Sequence, residues 1–244
     1  MNRRSRERGF TLVELLIAMA VGLMVMMAVF QIYAKQQDVY EAQLDVTEMQ
    51  QNIRAAMKLL ARDIRMAGYN GAELSTIGEG TGKIVQIKPD LIYFTIDRNE
   101  DGDVSDTDEH IAYDLKEDNG VLALRRTAAN GTIDTEDKGS GHWEVKSGSG
   151  PVIVAERIEK IEFMYLDEDE KETSDEDLVK TVVVSIIARA EEPDSSFKNS
   201  FIYNPASNLA AYNKGTLSGD KWQFNDNYRR RFKIMTVDCR NLRL

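Results

Sequence analysis

Hydrophobic residues are concentrated in one uninterrupted run near the start of the chain. Residues 15–30 form sixteen consecutive positions with no charge and no strongly polar group. Together with residues 10–13 and 31–33, the run reaches the roughly 20 apolar residues that a helix needs to cross a bilayer. The pattern therefore predicts a membrane-spanning helix over residues 10–33, in which Glu14 is the one charged residue.

The following segment keeps a helical period, but its apolar residues lie on one face. They recur at steps of three or four, namely Val46, Met49, Ile53, Met57, Leu60, Ile64 and Ala67. Residues 1–88 contain no proline, and Gly68 with Gly71 is a typical C-terminal stop signal. We therefore predict one helix from about Phe10 to Ala67, whose second part, within residues 34–71, lies on a sheet.

Beyond Gly71 the apolar residues occur in short runs rich in β-forming side chains. The runs are 83–88, 91–96, 110–115, 121–126, 152–166, 178–190 and 230–242. The continuous VVVSII stretch within 178–190 predicts a central strand buried on both faces. We predict an α+β fold in which residues 72–244 form a β-rich body, as one antiparallel sheet or two small sheets packed on the helix.

The charge of the chain is divided between a short basic start and an acidic remainder. The formal net charge is −10, and residues 1–9 contribute +3 from four arginines and Glu7, so the other 235 residues carry −13. Arginines before an apolar run predict a cytoplasmic amino end and an exported body. The acidic body argues against general binding to nucleic acid.

The sequence has no pattern typical of an enzyme, and we predict a structural protein. It contains no nucleophile–base arrangement, no phosphate-binding loop and no transition-metal spacing. The one cysteine, Cys239, has no intramolecular disulfide partner, and we expect it to be a small apolar residue of a late strand.

The segment GFTLVELLIAM, residues 9–19, resembles the leader junction of type IV prepilins and of type II secretion pseudopilins. The resemblance implies that residues 1–9 are a leader and that prepilin peptidase cuts between Gly9 and Phe10. It also implies N-methylation of Phe10 and a role in polymerisation for the helix over residues 10–33. Glu14 becomes the fifth residue of the cut chain and is expected to pair with the terminal amine of an adjacent subunit.

The physical chemistry of Glu14 agrees with such a pairing, although a second interpretation stays open. A charged side chain in the bilayer costs roughly 2.5–3.5 kcal/mol on insertion scales and is expected to have a partner. The alternative is a glutamate at a helix start, where its charge favours the helix dipole.

A second resemblance covers most of the body. Residues 51–71, QNIRAAMKLLARDIRMAGYNG, resemble the end of the long helix in PilW-type minor pilins, and the order of the later strand segments resembles that family as a whole. Part of this order is shared with the J-type pseudopilin of type II secretion. Arg62, Asp63 and Arg65 are candidates for salt bridges to the body or to a neighbouring subunit, or else they form a solvated helix face.

The PilW resemblance implies a minor pilin that helps to initiate type IV pilus assembly near the pilus tip. Its implied partners are prepilin peptidase, other minor pilins, the major pilin and the inner-membrane assembly platform. The protein is expected to cross the inner membrane once and then to enter the pilus. Two alternatives are a pseudopilin at the tip of a type II secretion pseudopilus and a tip-displayed adhesin. The adhesin would use aromatic residues of segment 193–229, namely Tyr203, Tyr212, Trp222, Phe224 and Tyr228.

One acidic segment, DRNEDGDVSDTD at residues 97–108, has the spacing of a twelve-residue calcium loop. Gly102 would allow the sharp turn, and Glu109 could replace the short carboxylate at the last position. The predicted oxygen ligands are Asp97, Asn99, Asp101, Asp103 through its carbonyl, Ser105 and Asp108. We predict a structural Ca2+ site between two strands, and the alternative is a solvated acidic turn.

Overall fold

One long helix opens the part of the chain that this computed structural model describes. The described residues are 10–71, 83–106, 108–118, 120–131, 133, 150–209 and 221–243. Helix α1 is Leu12–Met66, so the predicted helix is confirmed to within two residues at each end. The predicted leader, residues 1–9, lies outside the described residues.

The chain divides into two compact units, at residues 1–44 and 45–244. In the first unit, the described residues are almost entirely helix, and the large apolar side chains from Phe10 to Tyr33 are exposed. This part of α1 is long and apolar enough to cross a membrane.

The second unit begins within α1 and contains the β-rich body. The predicted apolar face is buried at Met49, Ile53, Met57, Leu60 and Ile64, whereas Val46 is half-buried. Burial of one face against the sheets, rather than helix propensity alone, therefore stabilises this part of the helix.

Helix α1 ends where the sequence predicted a stop. Gly68 has a φ of +77°, a left-handed conformation that glycine adopts without a Cβ clash. Its backbone N–H donates to the Thr95 carbonyl oxygen at 3.0 Å, and this bond turns the chain directly onto a strand of the body.

The described body contains two main antiparallel sheets and one short ribbon. A five-stranded sheet has the order β1-β2-β3-β4-β5, a three-stranded sheet has the order β10-β7-β6, and β8 pairs with β9. The strands are β1 Ile84–Lys88, β2 Leu91–Thr95, β3 His110–Asp118, β4 Val121–Ala129, β5 Gly150–Glu156, β6 Ile158–Leu166, β7 Thr181–Arg189, β8 Ile202–Tyr203, β9 Trp222–Gln223 and β10 Arg230–Asp238.

The apolar run at 152–166 is divided between the two main sheets. Arg157 separates β5 from β6 and has a φ of +57°, so the backbone changes direction at this residue. Strand β7 carries the VVVSII stretch and lies between β10 and β6, with every residue from Thr181 to Ala188 buried. The predicted α+β class and the central strand are thus confirmed.

The main hydrophobic core joins helix α1 to both sheets. Leu60 and Ile64 of the helix belong to one buried cluster with Phe94 of the first sheet and Val184 of the second. Cys239, directly after β10, is fully buried in the same cluster and is a small apolar core residue, as predicted.

Candidate functional site

The start of helix α1 places Glu14 in a local hydrogen-bonding arrangement. The backbone N–H and the hydroxyl of Thr11 both donate to Glu14 Oε2 at 2.9 Å, and the Glu14 N–H donates to Thr11 Oγ1 at 3.2 Å. This reciprocal pair is a capping box, which satisfies free N–H groups at a helix start. Phe10 is exposed and Gly9 lies outside the described residues. Pairing of Glu14 with the amine of another subunit stays a prediction.

Asp63 connects the helix to the five-stranded sheet. Its carboxylate accepts hydrogen bonds from Arg126 Nε at 2.7 Å, from the Tyr113 hydroxyl at 2.8 Å and from Arg62 Nε at 2.9 Å. Burial by itself raises the pKa of a carboxyl group, but the hydrogen bonds from Arg126 and Tyr113 outweigh it, so that the pKa of Asp63 is lowered. The predicted salt bridge to the body is thus confirmed at Asp63, whereas Arg62 and Arg65 are exposed.

Asp97 organises the acidic loop from its interior. It is 1% exposed, and its carboxylate accepts backbone N–H bonds from Glu100 at 2.7 Å and from Gly102 at 3.1 Å. A third bond, at 3.3 Å, comes from the N–H of Gly71 after the helix. These bonds direct both carboxylate oxygens of Asp97 to backbone donors of the turn.

Three other carboxylates converge at the exposed side of the loop. One oxygen from each of Asp101, Asp103 and Asp106 lies within 4.8 Å of the other two. Asn99 Nδ2 donates to Asp101 and to Asp106 at 2.9 Å. Hydrogen bonds from the Asp103 backbone and the Asn99 side chain lower the pKa of Asp101. The cluster could hold a divalent cation through oxygen atoms.

The structure therefore places the predicted ligands in different roles. Asp101 and Asp103 belong to the convergent cluster, whereas Ser105 donates to Asp103 Oδ1 and the backbone N–H of Asp108 donates to Asn130 Oδ1. Asp106 was absent from the predicted ligand set because it does not fall on an odd position of the twelve-residue template. Its signal in the sequence is the acidic spacing of positions 101, 103 and 106.

Glu109 closes the base of the acidic loop. It is fully buried, and its two carboxylate oxygens each accept a backbone N–H at 2.9 Å, from Arg98 and from Asp106. Glu109 thus joins the two ends of the loop, and its oxygens are directed to the backbone.

The acidic loop is also tied to the end of helix α1. The N–H of Asp97 donates to the Tyr69 carbonyl oxygen at 2.9 Å, and the Tyr69 hydroxyl donates to Glu100 Oε1 at 2.9 Å. This hydrogen bond to Glu100 is the main reason that the pKa of Tyr69 is raised. Order in the loop and order at the helix end are therefore physically connected.

The aromatic residues considered for an adhesin pack against the three-stranded sheet. Tyr203 and Trp222 each place their ring centroid 5.8 Å from that of Phe232 in β10. Phe224 lies under the Arg230 guanidinium at 3.8 Å. Tyr228 contacts Arg189 in the same way, and Tyr212 lies outside the described residues. These contacts favour a packing role for the described aromatic residues.

Comparison with protein families identifies the chain. The family model described as prepilin peptidase-dependent protein B matches residues 42–194, which is more than half of the sequence. The chain belongs to the prepilin peptidase-dependent protein B family. A model of the prokaryotic N-terminal methylation motif matches residues 4–30 of this family member. The predicted type IV prepilin-like character is thus confirmed, and the exposed apolar part of α1 is a membrane anchor.

The comparisons with individual proteins give one solved structure to report. This member of the prepilin peptidase-dependent protein B family is similar to a type IV-like pilin from Thermus thermophilus. The two share 14% sequence identity over 79% of this chain and 95% of the other, with a TM-score of 0.45. The search of curated proteins gave no significant match.

Proposed function

We propose that this chain is a minor pilin that helps to initiate type IV pilus assembly, at the pilus tip and together with other minor pilins and the major pilin. The observation that carries the proposal is the exposed apolar stretch of α1 behind a prepilin motif. Such a surface is stable only when lipid or other apolar helices cover it. A subunit that leaves the bilayer for a filament exchanges the first cover for the second.

Glu14 gives this exchange a direction. Inside the membrane its charge is costly, and its own helix supplies only the Thr11 cap. A terminal amine on Phe10 of a neighbouring subunit supplies the opposite charge in the same apolar layer. The pairing therefore favours association and sets the position of one subunit along the next.

The test is a count of surface pili by electron microscopy in a deletion strain complemented with three forms of the gene. We expect loss of pili on deletion and rescue by the natural sequence. Glu14→Ala removes both the charge and the cap acceptor, whereas Glu14→Gln keeps an acceptor for Thr11 without the charge. We expect neither variant to rescue. Rescue by Glu14→Gln alone would show that capping, and not charge pairing, is the requirement.

Two outcomes would contradict a role in pilus initiation. Normal pili in the deletion strain, with reduced protein export, would favour the type II secretion pseudopilus. Normal pili with reduced surface attachment, reproduced by removal of residues 193–229, would favour the adhesin. Immunoblots of each variant in the membrane fraction separate these outcomes from loss of the protein.

We also propose that the acidic loop binds a structural Ca2+ ion, with Asp101, Asp103 and Asp106 as its carboxylate ligands. The convergence of three carboxylates supports this proposal, because their mutual repulsion is relieved by a divalent cation. Asp97 and Glu109 shape the loop through backbone bonds and leave the ion to the exposed group. Extracellular calcium modules typically have dissociation constants of about 10⁻⁴–10⁻³ M.

Thermal unfolding of a fragment covering residues 36–244 tests the calcium proposal, because residues 45–244 form a compact unit. At a Ca2+ concentration ten times the dissociation constant, we expect about 1.4 kcal/mol of stabilisation and a rise in Tm of about 2–4 °C. Asp103→Asn should abolish the rise. Asp169→Asn, which neutralises an exposed carboxylate elsewhere, should leave it intact. No rise for the natural sequence at millimolar Ca2+ would contradict the proposal.

A further inference from the structure

A groove on the body lies along the last three turns of α1 and is closed by the carboxyl-terminal turn of the chain. Its volume is about 850 Å³. Asn241 Nδ2 donates to the Arg65 carbonyl oxygen at 3.1 Å and holds the terminal turn against the helix end. Apolar atoms of Ala55, Leu59 and Met66 line the groove, and Met66 is 38% exposed.

Four cationic side chains also line this groove, in a protein whose net charge is −10. They are Lys58, Arg62, Arg65 and Arg240, and we call this surface the basic groove. Within the described parts of the chain, Arg62 pairs with Asp63, and no ion pair is found for the other three. The Asp63 carboxylate is already held by Arg126 and Tyr113, so the groove keeps a strong positive charge.

An acidic surface with matching spacing lies earlier on the same helix. Asp38, Glu41 and Asp45 follow one another at steps of three and four, which places them on one helix face, and we call them the acidic stripe. Tyr40 and Leu44 beside it are 62% and 51% exposed. Partial burial and the neighbouring carboxylates of Glu48 and Glu191 raise the pKa of Asp45. The stripe therefore lies in an acidic environment that a cationic partner would stabilise.

The two surfaces agree in length and in the order of apolar and charged positions. The acids at 38, 41 and 45 and the bases at 58, 62 and 65 each extend over seven residue steps. Two parallel α1 helices displaced by twenty residues would bring position 38 opposite 58 and position 45 opposite 65. The parallel direction rests on the proposed function, because filament subunits enter from one membrane in one orientation.

We propose that the basic groove binds the acidic stripe of a second copy of this chain. The pairing combines apolar contact along the groove with three opposite-charge pairs, as in other complexes of a helix in a groove. Each copy presents both surfaces, so the contact is heterologous and leaves one free groove and one free stripe at the ends. It extends in one direction, as a filament requires.

Disulfide cross-linking of the full-length chain in membranes tests this pairing. Val39→Cys and Leu59→Cys differ by the same twenty positions, and the natural Cys239 is fully buried. A chain with both substitutions is expected to form dimers and larger species after mild oxidation, resolved by non-reducing electrophoresis. Either substitution alone should leave the chain monomeric.

Charge exchange tests the role of the ionic groups. Lys58→Glu with Arg62→Glu in the cross-linking chain should reduce the cross-linked fraction roughly tenfold, because two attractions become repulsions. Adding Asp38→Lys with Glu41→Lys should restore it. The matched control, Lys198→Glu with Lys221→Glu, changes the total charge equally outside the groove and should have no effect.

The outcomes separate this inference from the proposed function. Absence of the ladder, or cross-links to a different protein or to lipid, would overturn binding of a second copy. Failure of the exchanged charges to restore the ladder, with all variants present in the membrane, would overturn it as well. A charge-dependent ladder in a strain whose deletion leaves pili normal would support the contact and contradict the role in pilus initiation.

Discussion

Removal of the Asp63 side chain is expected to destabilise the body strongly. The carboxylate is 5% exposed and neutralises Arg126, whose side chain is 18% exposed. It also accepts the buried Tyr113 hydroxyl, so Asp63→Ala leaves a largely buried cation and a buried donor without their partner. Breaking one side of a buried ion pair costs about 3–5 kcal/mol. The better helix propensity of alanine returns roughly 0.5 kcal/mol, which leaves a net cost of about 3–4 kcal/mol.

Urea unfolding of the fragment 36–244 at pH 7 measures this cost as the difference in the free energy of unfolding. Arg62→Ala is the matched control, because Arg62 contacts the same carboxylate but is 66% exposed. The control should cost less than about 1 kcal/mol. Equal costs for Asp63→Ala and Arg62→Ala would refute the assignment of Asp63 as the ionic link between helix and sheet.

The pH dependence of the same difference provides an independent check. The pKa of Asp63 is lowered in the folded chain from its ordinary value of 3.8, so the unfolded chain binds the proton more readily. The stabilisation by Asp63 is therefore present above pH 3.8 and is lost as the pH falls through the lowered folded pKa. The difference between the natural fragment and Asp63→Ala should shrink over this acidic range and remain constant near neutrality.

Three further substitutions are expected to lower the free energy of unfolding in the same assay. Arg230→Ala should cost about 3–5 kcal/mol, because the buried guanidinium holds both Glu159 and Asp226 at 2.5–2.9 Å. Gly120→Ala should cost about 1 kcal/mol, since the turn between β3 and β4 has a φ of +82° there and the space around it is open. Leu60→Ala should cost about 2–5 kcal/mol by leaving a cavity at a fully buried position. A cost below 1 kcal/mol at Arg230 or Leu60 would contradict the packing described.

The elements with a strong local signal were predicted well. Helix α1 follows from an apolar run, a one-sided apolar period and a terminal Gly68, all of which act within a few residues of one another. The strands likewise follow from short β-forming runs with turn residues between them. The division at Arg157 was not evident, because a left-handed arginine has no distinctive sequence pattern and depends on the strands that the two sides join.

The acidic loop shows where spacing alone is insufficient. Asp97 and Asp101 are chemically equal in the sequence, yet Asp97 is buried under three backbone N–H groups and Asp101 faces solvent beside Asp103 and Asp106. One of the three N–H groups belongs to Gly71, which lies 26 residues away and is brought there by the helix end. The spacing predicted a group of oxygen atoms, and the folded chain selected which of them converge.

The sequence by itself determined the prepilin junction, the apolar anchor, the long helix and the α+β class, because these properties depend on composition and on periods of a few residues. Only the tertiary structure decided the roles of individual charged groups. Asp63 joins the sheet whereas Arg62, beside it, lines the basic groove, and the two residues differ by one position on the same helix. The physical reason is that the energy of a charge depends on its burial and on its partners, which come from distant parts of the chain.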